Sequence, residues 1–228
     1  MKTLLHSSSK LLMLMAVAML GVSSCKKLEP EVPIQGDAKI RVVNTISGST
    51  AQDVYQNDAK ISTTAVGYGQ HTEYLTVKGG ITSTISLKNQ GTQTVTGSTQ
   101  AAPYANVSYT LFYFSNSTGA VDFAGVVDDN TAVAAGKSKV RFMNLGSALS
   151  NNINITITGV GSVVSGLANG YLSAYNTIDA NTSLNVNVVG SADTKVIPGA
   201  TFESGKIYTV WFDAASATMV NYYVVKQN

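Results

Sequence analysis

What most constrains this 228-residue chain is that it repeats itself at a spacing close to 100 residues. Ala38-Lys39-Ile40-Arg41-Val42-Val43-Asn44 corresponds to Ser138-Lys139-Val140-Arg141-Phe142-Met143-Asn144 at a shift of 100. Tyr74-Leu75-Thr76-Val77 corresponds to Tyr175-Asn176-Thr177-Ile178. Tyr109-Thr110-Leu111-Phe112-Tyr113-Phe114 corresponds to Tyr208-Thr209-Val210-Trp211-Phe212-Asp213 at a shift of 99. Matched segments in one order at near-constant spacing predict two copies of one domain of about 90 residues. The copies are placed at 38–130 and 138–228, with a short, alanine-containing linker at 131–137.

The repeated segments read as strands. Ile40 and Val42 alternate with Lys39 and Arg41, and Ile153, Ile155 and Ile157 alternate with Asn154 and Thr156. A period of two with polar groups on one face describes a half-buried strand whose register is well specified. Gly79-Gly80, Asn89-Gln90-Gly91, Ser117-Thr118-Gly119 and Asn169-Gly170 supply turns, and no long amphipathic helical pattern follows residue 25. The expected fold is all-β, with two tandem immunoglobulin-like β-sandwiches. Tyr109 and Tyr208 each begin a late strand, where the hydroxyl can reach backbone across a corner. Leu111-Phe112-Tyr113-Phe114 and Val210-Trp211-Phe212 are apolar on both faces. Phe112 and Trp211 exceed what one core needs, which points to a partner surface or to a contact between the two copies.

The first 25 residues read as an address. Lys2 and Lys10 precede an apolar run, Leu11 to Leu20, too short for a permanent membrane span. Gly21-Val22-Ser23-Ser24-Cys25 then resembles a lipobox. Residues 1–24 are expected to be a signal peptide, Cys25 the lipidated residue, and 25–37 a tether containing Pro30 and Pro33. Removal of residues 1–24 takes Lys2 and Lys10 from the 15 Lys and Arg, leaving 13 against 13 Asp and Glu. A neutral chain offers no basic excess to nucleic acid. With one cysteine, no internal disulfide forms. The bacterial outer membrane is the expected location, with the periplasmic and surface faces both open. Lys26-Lys27 come directly after the anchor, and the acids Glu29 and Glu31 come later.

Both copies resemble a known family. Lys39 to Asn44, Asp53-Val54-Tyr55, Tyr74 with Val77 and Gly79-Gly80, and Tyr109-Thr110-Leu111 are similar to the pattern of domain of unknown function 4397. The second copy carries Arg141, Tyr175 and Tyr208-Thr209. It has Asn152-Ile153-Asn154 for the acidic-aromatic segment and Ala180-Asn181 for the glycine pair. The resemblance implies β-domains of bacterial envelope proteins, often lipoproteins of the Bacteroidetes kind, and it brings no catalytic residues.

Candidate chemistry is sparse. His71 is the one histidine after the signal, and it lacks the Gly-x-Ser-x-Gly elbow of a hydrolase nucleophile. Zinc would need several His or Cys ligands. Asp128-Asp129-Asn130, with Asp122, lacks calcium-loop spacing and reads as a solvated turn at the domain junction. Asp53 and Asp58 are close in sequence, as surface acids often are. Gly159-Val160-Gly161 with Gly166 reads as a hairpin turn rather than a dinucleotide loop. The aromatics are the stronger candidates. Tyr68, Tyr74, Tyr113, Tyr175 and Trp211 are the rings a sugar could stack on, although tyrosine is also a common packing residue of half-buried strands. Tyr104 and Tyr171 belong to the same wider group. The expectation is therefore a non-enzymatic envelope lipoprotein without catalytic residue, metal or cofactor. It would act as a structural or ligand-binding module, with a carbohydrate-binding protein or adhesin as the alternative. The membrane, through the lipid, and an envelope protein or glycan are the expected partners; oligomeric state stays open.

Overall fold

Sixteen strands, with one short 3-10 turn at Gly199–Thr201, build the described part of the chain. A computed structural model describes residues 34–228; the expected signal (1–24), Cys25 and most of the tether lie outside them. The first half contains β1 (Gly36–Asn44), β2 (Gln52–Gln56), β3 (Ala59–Lys60), β4 (Leu75–Gly79), β5 (Ser83–Asn89), β6 (Val95–Ala101), β7 (Ser108–Ser115) and β8 (Val121–Val127). The second contains β9 (Lys137–Asn144), β10 (Ile153–Ile157), β11 (Gly161–Leu167), β12 (Asn176–Asp179), β13 (Leu184–Val188), β14 (Lys195–Ile197), β15 (Ile207–Ala214) and β16 (Val220–Lys226). Four four-stranded sheets result, ordered β4-β1-β7-β8 and β3-β2-β5-β6, then β12-β9-β15-β16 and β11-β10-β13-β14. The strand order of one half is thus that of the other. The all-β sandwich fold is as the alternation predicts.

Register follows the period-two pattern. Ile40, Val42, Leu111 and Tyr113 face Val54, Ile85 and Leu87 of the opposing sheet and fill the first core. Val140, Phe142, Val210 and Phe212 do the same against Ile153, Ile155 and Val186. β1 and β7 pair in parallel, as do β9 and β15, while the other pairs are antiparallel. β1 begins at Gly36, inside the stretch read as tether, because Asp37 pairs with Lys78 of β4 in both register and charge. The glycine turn at Gly80 has φ of 76°, and its counterpart Asn181 has φ of 61°. Asparagine is among the few other residues that tolerate this region.

The corner tyrosines close both sandwiches in the same way. The Tyr104 N–H donates to the Tyr109 hydroxyl at 3.0 Å, and the Glu203 N–H donates to the Tyr208 hydroxyl at 3.0 Å.

A third core lies between the halves. Val43, Phe112, Met143, Leu145, Trp211 and Val225 pack together, with Tyr68, Ala124, Val126 and Tyr223 against them. Apart from Leu145 and Tyr68, which lie outside the strands, these residues alternate with the inward-facing ones on β1, β7, β8, β9, β15 and β16, so the outward faces of two sheets meet. This explains why Phe112 and Trp211 are apolar where a lone sandwich would be polar. All described residues fall in one compact unit.

Candidate functional site

The seam between the sandwiches concentrates the chain's polar and aromatic chemistry. β9 places Arg141 and β1 places Arg41 on the outward faces that meet, and both are buried. Arg141 Nη2 donates to Asp128 Oδ1 at 2.6 Å, with the two side chains 4% and 0% exposed. Its Nη1 donates to the Val127 carbonyl, and its Nε donates to Thr209 Oγ1. The same Asp128 accepts from the Tyr74 hydroxyl at 2.7 Å, the Thr110 hydroxyl at 2.8 Å and Gln227 Nε2 at 2.7 Å. Arg41 stacks over Tyr74, 4.2 Å from the ring centre, and Arg141 over Tyr175 at 4.7 Å.

The arrangement is doubled but unequal. Arg41, Tyr74 and Thr110 correspond to Arg141, Tyr175 and Thr209, and Arg41 donates to the Lys226 carbonyl much as Arg141 donates to that of Val127. Asp128, however, corresponds to Gln227. One buried carboxylate therefore serves a seam that holds two guanidinium groups. Burial, then the charge of Asp128 and the bond to it, pushes the Tyr74 hydroxyl well above its ordinary pKa. Burial also raises Tyr175, although the Arg141 charge opposes it. Phenols so perturbed stay protonated and donate. They serve as struts rather than as acids or bases.

Beside this network, the Trp211 indole stacks on Tyr223 at 4.1 Å, and Tyr68 meets both rings edge-on. The Tyr68 hydroxyl donates to Asp213 at 2.6 Å and accepts from Tyr223 at 2.8 Å, so the first half is bonded to the second. Gly69, at φ 78°, permits the approach. A Cβ there would sit 2.6 Å from the Tyr223 ring.

The fold places the five rings singled out as sugar platforms in a core or at the seam. Trp211 and Tyr113 are 0% and 3% exposed, leaving no ring face free. Tyr68, Tyr74 and Tyr175 are half-buried in the seam. Exposed rings do remain at Tyr104 (70%) and Tyr171 (67%).

The acidic stretch at the junction also differs from expectation. Asp128 is no solvated turn residue but the buried hub of the seam. Asp129 Oδ2 lies 2.8 Å from Lys139 Nζ. Burial would raise the Asp129 carboxyl, but Lys139 and Thr131 outweigh it and hold it at about 2. A folded-state pKa below the unfolded value contributes stability above about pH 4 that is lost as pH falls through 2. The urea midpoint is expected to fall between pH 4 and pH 2, and Lys139→Met should flatten that fall. Asp53 is buried and paired with Lys60 at 2.8 Å, while Asp58 sits in a turn at φ 66°. His71 bridges to Val43 and donates from Nδ1 to the Thr72 carbonyl at 2.9 Å.

The profile of domain of unknown function DUF4397 matches residues 38–156, from β1 to β10. The chain belongs to this family. The DUF4397 match runs through the first sandwich and into the second. A search of curated proteins finds no match. Solved structures similar to this DUF4397 protein include the CBM26-family module CBMbc of Eubacterium rectale Amy13K in complex with maltoheptaose. It shows 14% identity, coverage of 84% of this chain and 97% of that one, and a TM-score of 0.28. A streptococcal virulence factor described for alpha-glucan binding has 11% identity, 82% and 96% coverage, and a TM-score of 0.26. A fimbrial assembly protein from Parabacteroides distasonis has 11%, 86%, 100% and 0.21 respectively. These TM-scores are too low for the likeness to carry either a fold or a ligand over to this chain.

Proposed function

We propose that this chain is a non-catalytic module of the bacterial cell envelope. A lipid on Cys25 holds it at the outer membrane, and two copies of the DUF4397 domain act as one rigid body that presents its surface to a ligand or envelope partner. The observation that carries this reading is the seam. Its acid, its two guanidinium groups and its perturbed phenols are all engaged in joining the halves. The second copy is supported by the identical strand order and by the matched Arg41/Arg141, Tyr74/Tyr175 and Thr110/Thr209 pairs. The anchor is supported by the basic start, the short apolar run and the small residues that lead to Cys25. Two or more acyl chains make anchoring stable, where one gives only marginal binding.

Fractionation of cells expressing the full chain tests this. The wild-type protein should stay with membranes through a high-salt wash and leave only with detergent. Cys25→Ala should appear in the soluble fraction with an unchanged circular dichroism spectrum. A Cys25→Ala protein that remains membrane-bound after the salt wash sinks the anchoring. Protease treatment of intact cells then assigns the face: digestion means the surface and protection means the periplasm.

A further inference from the structure

At one end of the first sandwich, beneath the connection from β6 to β7, an apolar cavity of about 270 Å³ opens between the sheets. Ile40, Val77, Pro103, Tyr109, Leu111 and Gly125 line it, with exposed Tyr104 at its mouth. It lies on the inner side of the β4-β1-β7-β8 sheet, apart from the seam residues, which share the outer face.

The second sandwich shows what the fold does with this space. The Gly80 N–H donates to the Pro103 carbonyl, as the Asn181 N–H does to the Phe202 carbonyl. The neighbouring corner bonds, Tyr104 to Tyr109 and Glu203 to Tyr208, also correspond. Pro103 and Phe202 therefore occupy equivalent positions. Phe202 is 0% exposed and meets Tyr208 edge-on at 5.5 Å, plugging the core. Gly125, which pairs with Leu111, likewise corresponds to Val224, which pairs with Val210. The first sandwich thus lacks a benzyl group and an isopropyl group that the second supplies from its own chain.

Apolar lining favours apolar guests, as a smaller, enclosed engineered cavity that takes up benzene shows; here the space opens to solvent beside Tyr104 and Gly125. The lining has no charged side chain, and the Tyr109 hydroxyl already accepts the Tyr104 N–H. A ligand group buried here would find little to hydrogen-bond, so the buried part must be apolar. We infer that this cavity is a binding site for a small uncharged molecule whose aromatic ring takes the place that Phe202 fills in the second sandwich. The Tyr109 ring offers that ligand the edge-on contact that Tyr208 gives Phe202. Polar substituents stay at the mouth beside Tyr104.

The test uses the full chain with Cys25→Ala, which needs no detergent, and follows methyl NMR signals while toluene is added. Toluene should shift Ile40, Ile85 and Leu111 and leave the seam residues Val43 and Val225 unmoved. Gly125→Val should weaken the response roughly tenfold or more. A Cβ at Gly125 meets only Leu111 Cδ1, at 3.7 Å, so this variant should stay folded. Pro103→Phe should abolish the response, and Phe202→Ala should add a second responding set at Val140 and Ile178. No shift in the parent chain, an undiminished response in a folded Gly125→Val, or shifts confined to the seam would overturn the inference. So would a response to decane with none to toluene. Because the readout is in solution, failure here leaves the anchoring reading untouched.

Discussion

Asp128→Ala is expected to lower the unfolding free energy by about 3–5 kcal/mol, the cost of leaving a buried charge without its partner. The carboxylate accepts from Arg141, Gln227, Tyr74 and Thr110, so its loss takes an acceptor from four donors at once, of which Arg141 and Gln227 keep Thr209. Two buried guanidinium groups, Arg41 and Arg141, would then face each other's halves with no counter-charge. A joint Asp128→Leu/Arg141→Met change should cost less than the single substitution, because it removes the uncompensated Arg141 charge, while Tyr74, Thr110 and Gln227 still lose their acceptor. Urea unfolding followed by circular dichroism and by Trp211 emission checks both. A loss under about 1 kcal/mol for Asp128→Ala, the range of exposed pairs, would mean that the seam is hydrated in solution. The Lys78–Asp37 pair, 69% and 58% exposed, is the natural control for that lower range.

Trp211→Ala should be comparably damaging, at about 3–5 kcal/mol, because it removes a fully buried ring from a close-packed site. The ring also carries the stacked contact with Tyr223 and the edge contact with Tyr68, which together join the halves. The expected signature is therefore more than a lower midpoint. With the third core broken, the two sandwiches should lose their shared transition, and the denaturant slope of the main transition should drop. Trp211 is the chain's one tryptophan, so this variant is followed by circular dichroism. A single transition of unchanged slope, with a loss under about 1 kcal/mol, would show that the sandwiches are not coupled through Trp211.

The contrast between Asp128 and Trp211 shows what was legible beforehand. Trp211 and Phe112 stood out because they break the alternation of a half-buried strand, and the reason for the break proved to be the other sandwich. Asp128 gave no such signal. It lies beside Asp129 and Asn130 in a stretch that reads as a polar junction, and Tyr74 and Gln227, which bind it, are 54 and 99 residues away. The surroundings of the tyrosines are hidden in the sequence for the same reason. Tyr74 and Tyr175 read as half-buried rings, and only the fold shows that Arg41 and Arg141 each cover one face of them. The cavity was legible only in part. Pro103 against Phe202 and Gly125 against Val224 can be aligned from the repeat, but the space they leave appears only when two sheets close over it.

From the sequence alone came the repeated strands, their inward faces, the corner tyrosines and the duplicated order, because each depends on a period of two, on a turn a few residues long or on the repeat itself. The tertiary structure decided which outward faces meet, which acid is buried and which sandwich stays unfilled. Those outcomes depend on surfaces about 100 residues apart being brought together, and no local period encodes that pairing. The repeat announced two sandwiches; packing Phe112 against Trp211 and Arg141 against Asp128 made them one body.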